Sequence, residues 1–117
     1  MQNHYDSLPS TEKWFKMSLD EQLANVGTDI DRVIRWRKKG ELDTAQRVFE
    51  RSLTLLHLTI SDPKHFKKPA FRELMLIKEL LCDYFMGSNI YSSTDESWSK
   101  YFYVFNYRAA NSRRRGA

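Results

Sequence analysis

The side chains able to do chemistry in this chain are few, and their spacing is the first evidence about function. Arg51 and His57 lie six residues apart within ELDTAQRVFERSLTLLHLTIS, with Ser52 directly after the arginine. An arginine and a histidine on one helix can in principle hold a phosphate and move a proton. Six helical residues, however, separate two side chains by about 120°. No further base or cation in the sequence completes a cleft around them. We therefore expect a half-buried histidine on a helix edge and a solvated arginine, and no catalytic centre.

The remaining reactive residues are equally isolated. His4, His57 and His65 are scattered. There is no His-x3-His or Glu-x2-His pair of the sort that builds a metal site in a helical core, so no metal is expected. Cys82 is the single cysteine, which excludes an intramolecular disulfide. Its neighbours Leu81 and Asp83 suit a packed thiol better than an activated one. No glycine-rich phosphate loop and no nucleophile elbow is present, and no cofactor is expected.

Two groups of side chains suggest binding instead. Lys64, Lys67 and Lys68 fall in one short loop, and Arg108, Arg113, Arg114 and Arg115 crowd the chain's end. They are candidates for contacting phosphates of a nucleic acid or another anion. The formal net charge of +4 permits such a partner without requiring one. Aromatic residues make up 14% of the chain. Trp14, Phe15, Tyr101, Tyr103 and Tyr107 are the candidates for a partner surface, because tyrosine and tryptophan are enriched in interfaces. A homodimer burying such a patch is one expected outcome.

Helices must position all of these. Period-2 alternation of useful length is absent, whereas apolar residues recur at three- and four-residue steps. The pattern predicts helices over 19–39, 41–61, 69–86 and 95–111, after an N-terminal arm over 1–12 and before a basic tail over 112–117. Ser18 and Glu21 form a capping-box pattern, and Ser93-Thr94-Asp95-Glu96 looks like a second. Gly40 suits a helix C-terminus and Pro69 a helix start. Gly27 either weakens its helix or lets a neighbour come close. Ile90 and Tyr91 are expected to pin the loop over 88–94 to the body.

The helix over 41–61 is the most apolar, and we expect it at the centre. Phe49, Leu53, Leu56, Leu74, Ile77, Leu81, Trp98, Phe102 and Phe105 should share one core. The expected fold is all-α, a single domain in a four-helix antiparallel up-down bundle with short loops. In that topology the loop over 64–68 meets the chain's end, gathering the basic residues into one pole. The N-terminus lacks a signal-peptide core and no apolar run could span a membrane, so a cytoplasmic location with no membrane association is expected.

Three resemblances accompany this reading. Gly40, Ala45, Phe49 and Ser52 are spaced as in the second helix of a tetratricopeptide repeat, which implies a closely packed helical hairpin. Asp29, Arg32 and Val33 depart from that family's first helix, and no second copy is visible. The Arg51-Ser52 and His57 spacing resembles the HEPN (higher eukaryotes and prokaryotes nucleotide-binding) domains, whose RNA-cleaving members carry such a motif. MSLDEQLANVG and LCDYFMGSNIYSSTDESW resemble a family of small uncharacterised prokaryotic helical proteins, which implies a compact bundle and no mechanism. The expected function is a non-enzymatic interaction or adaptor module. The alternative is a nucleic-acid-associated protein, with a HEPN-like RNase as its catalytic form.

Overall fold

The computed structural model describes residues 7–116, with side chains as far as Arg114. Among these residues the chain is all-α. It comprises α1 (Thr11–Lys16), α2 (Leu19–Lys38), α3 (Leu42–Ile60), a 3-10 turn (Pro63–His65), α4 (Pro69–Phe85) and α5 (Asp95–Gly116). The four long helices start within one residue of the expected positions. The ends differ more. Thr11 and Glu12, expected in an arm, already belong to α1; residues 1–6 lie outside the described residues. Most of the expected basic tail is the last turn of α5, which carries the helix to Gly116.

Local chemistry explains the boundaries. Ser10 caps α1 by accepting from the Lys13 amide at 3.2 Å. Ser18 and Glu21 form the reciprocal capping box at the start of α2. At its end the Glu41 amide donates to Trp36 and the Gly40 amide to Arg37, each at 3.0 Å. This is a Schellman closure, and it needs the left-handed backbone that Gly40 adopts at φ 78°. The second capping box forms with a different partner from the one expected. Thr94 and Ser97 exchange side-chain and amide hydrogen bonds at 3.0 Å, and Glu96 is not used. The loop before α5 is also pinned differently. Ile90 and Tyr91 are exposed, but their backbone amides donate to the Asp83 carboxylate at 2.9 and 3.1 Å.

The centre of the molecule is α2 rather than α3. Its interfaces with α3 and with α5 are by far the most extensive. Both neighbours run antiparallel to it. Asp29 faces Arg51 and Gln22 faces Asp62 on the α3 side, while Asp20 faces Arg108 and Asp31 faces Ser99 on the α5 side. The α5 contact is close because Gly27 has no side chain. A β-carbon there would stand 2.5 Å from Cβ of Phe102. The α3 helix was expected at the centre for its apolarity, but two-sided contact depends on small and apolar residues recurring along the whole helix. In α2 these are Leu23, Val26, Gly27, Ile30, Val33 and Ile34, all buried.

The core otherwise contains what the periodicity predicts. Phe49, Leu56, Leu74, Ile77, Leu81, Trp98, Phe102 and Phe105 are buried together; Leu53 is only half-buried against them. By contrast α4 meets its neighbours along a thinner seam, with Phe85 on Phe49 at 5.2 Å between ring centres. Tyr101 donates to Glu73 at 2.8 Å and Tyr84 to Asp95 at 2.6 Å, joining α4 to α5 near both ends.

Candidate binding surfaces

The Arg51/His57 pair does not form a site. Arg51 turns towards α2 and pairs with Asp29, whose carboxylate is 1% exposed and also accepts from Arg32 at 2.9 Å. Its Nε–H donates to the Ser7 carbonyl at 2.8 Å. Arg51 is thus a structural cation holding a buried acid, not the solvated residue expected. His57 is exposed rather than half-buried, and faces Lys78 of α4. Partial burial and then the Lys78 charge lower its pKa from the ordinary histidine value. The two side chains act in separate surroundings.

Two of the basic candidates, Lys64 and Arg108, already have acids. Lys64 pairs with Asp62 and donates to the Phe15 carbonyl at 2.8 Å. Arg108 approaches Asp20 at 4.0 Å and lies over the Phe105 ring. Arg113 is exposed on a polar cleft of about 210 Å³ between α2 and α5, shared with Glu21, Asn25, Thr28 and Asn106. Lys67, Lys68 and Arg114 are exposed. The side chain of Arg115 lies outside the described residues. The end of α5 therefore runs alongside the acidic first turn of α2, where Asp20 meets Arg108 and Glu21 shares the cleft with Arg113.

One arrangement escaped the sequence reading. Gln22, fully buried, donates Nε2–H to the Trp14 carbonyl and to Asp62, both at 2.9 Å. Its Oε1 accepts from Nε2–H of buried His65 at 2.8 Å. Burial raises the Asp62 pKa, but hydrogen bonds from Lys64 and Gln22 outweigh it and hold the carboxyl below its ordinary value. Burial, partly opposed by Asp62, lowers the pKa of His65. The network is saturated and ties α1, α2 and the 3-10 turn together. A glutamine inside an apolar stripe was its one legible sign.

The aromatic candidates divide. Trp14 is 1% exposed and donates Nε1–H to Thr59 at 3.0 Å, so it belongs to the core and not to a partner surface. Phe15 is half-buried against the core. Tyr101 is half-buried, and burial followed by its bond to Glu73 raises its pKa far above the ordinary tyrosine value. Only Tyr103 and Tyr107 stand free of the body, 66% and 58% exposed. Their rings stack at 6.4 Å, beside exposed Val104.

Between α4 and α5 the thin seam leaves a groove of about 340 Å³. Leu76, Ile77, Leu80, Trp98 and Tyr101 wall it, with Glu73, Ser93 and Ser97 at its margin. The buried Nε1–H of Trp98 has no hydrogen-bond partner among the described residues. Cys82 is a half-buried free thiol. Among the described residues no group of three His, Cys, Asp or Glu side chains converges as a metal site, and no helix is long and apolar enough to cross a membrane. Compared with known proteins, the chain matches no family model, no curated protein and no solved structure.

Proposed function

We propose that this chain is a non-enzymatic helical interaction module that engages a protein partner through the outward face of α5. The observation that carries this reading is the exposed, stacked Tyr103–Tyr107 pair beside Val104. Large aromatic surface held on a rigid helix loses little entropy on binding, and such residues supply most interface energy. In this reading the four long helices form an up-and-down bundle closed at one end by α1, and the module works in the cytoplasm. A second copy of the chain and a different protein both fit the face.

Photo-crosslinking from position 103 or 107 tests the proposal in cells, with Lys38 on α2 as the control position. Adducts concentrated at 103 and 107 support it. Adducts equally frequent at position 38, or none at all, overturn it. Sedimentation of the purified chain then separates the two partners: a dimer abolished by Tyr103→Glu identifies self-association. Retention of nucleic acid at low salt, lost on Arg113→Ala and Arg114→Ala together, would favour a phosphate-binding role instead.

A further inference from the structure

The groove between α4 and α5 lies apart from the Tyr103–Tyr107 face and has its own chemistry. Its volume, about 340 Å³, is in the range of small-molecule sites. Its wall is apolar and aromatic: Leu76, Ile77, Leu80, Trp98 and Tyr101. Glu73 is the one charged residue lining it, and no cation pairs with Glu73 among the described residues. Leu76 and Glu73 are exposed, so the groove is reached from solvent.

We propose that this groove binds a hydrophobic organic cation. The argument begins at Tyr101. Its hydroxyl donates to Oε1 of Glu73 at 2.8 Å, which fixes the carboxylate at the groove's edge. A carboxylate can accept several hydrogen bonds, so most of its capacity remains for a ligand. The same bond makes the Tyr101 ring more electron-rich and its face more attractive to a cation. Trp98 stands against Tyr101 edge to face at 5.8 Å and adds a second aromatic wall. Ser97 is engaged with Thr94 and offers no competing polar contact. The orphan Trp98 Nε1–H is sealed from solvent, so this side chain contributes ring surface only.

The wall therefore selects apolar bulk, and its single charge selects the sign. That sign runs against the protein as a whole, which carries a formal net charge of +4 and attracts anions at long range. A preference for cations would thus arise in the groove itself. This inference does not depend on the protein partner proposed for α5.

Tetraphenylphosphonium and tetraphenylborate provide the test, because they share one shape and differ in charge. Calorimetric titration of the full chain should show saturable one-to-one binding of the cation, with the borate weaker by roughly tenfold or more. Glu73→Gln keeps an acceptor for Tyr101 and leaves the fold intact. It should weaken the cation by roughly tenfold and strengthen the borate, narrowing the difference between the two. Leu76→Arg, on the exposed wall, places a positive charge in the groove and should abolish cation binding. Binding of the borate as tight as the cation, unchanged cation affinity in Glu73→Gln or Leu76→Arg, or no binding of the cation at all would each overturn the proposal.

Discussion

At the scale of single residues, the buried polar groups carry more information than the exposed charges. His65 sits neutral in the Gln22–Asp62 network, with a pKa below 6.5 chiefly because burial penalises its charge. Between that lowered value and 6.5 the unfolded chain binds the proton more readily, so stability is complete above about 6.5 and declines as pH falls below it. His57 shifts in the same direction and adds in the same sense. The lowered Asp62 pKa contributes stability that is present above 3.8 and lost as pH falls through the folded value. Urea midpoints should therefore be level at neutral pH and fall in two stages towards acid. The double variant His57→Gln, His65→Gln should flatten the first stage and keep the second. Asp29 is a second such point. Asp29→Ala leaves Arg51 partly buried without its acid and should cost about 3–5 kcal/mol in urea unfolding.

At the scale of elements, the deciding contact is the approach of α5 to α2 at Gly27. A methyl group there meets Cβ and Cγ of Phe102 at 2.5 and 2.8 Å, and the rigid base of an aromatic side chain cannot swing aside. Gly27→Ala gains helix propensity of about 1 kcal/mol. Overpacking should outweigh that gain and leave a net loss of about 1–2 kcal/mol in denaturant unfolding. Pairing Gly27→Ala with Phe102→Leu should not be additive, because the two sites share one contact. Asp83 plays a comparable part for the loop before α5. Removing its carboxylate in Asp83→Ala should accelerate amide exchange at Ile90 and Tyr91 while the amides of α2 stay protected.

For the whole molecule, α1 matters more than its six residues suggest. Its Trp14 fills one end of the core, and its last carbonyls are received by Gln22 on α2 and Lys64 beyond α3. Trp14→Ala should cost about 3–5 kcal/mol and appear as a lower urea midpoint for the entire protein, not as local fraying. A local loss confined to α1 amides in hydrogen exchange would show that α1 is an appendage.

Periodicity and capping chemistry made the helices legible from the sequence. Each depends on contacts within a few residues: Ser18 with Glu21, Gly40 with the turn before it, apolar residues on one stripe. The core members Phe49, Leu74, Trp98 and Phe102 followed from the same stripes. Partnership across the chain did not. Trp14 reads as surface or core equally well until Thr59 is beside it. Arg51 reads as solvated until Asp29, far away in sequence, is seen buried against it. The acids beside the basic residues were equally illegible: only packing revealed Asp62 against Lys64, Asp20 against Arg108, and Glu21 in the cleft with Arg113. The groove was illegible for the same reason. Leu76, Leu80 and Tyr101 lie on two helices, and how far apart α4 and α5 stand depends on the side chains that separate them. Local hydrogen bonding and burial periodicity are written along the chain, whereas the spacing of helices is a sum over contacts between residues distant in sequence, and tertiary packing alone determines it.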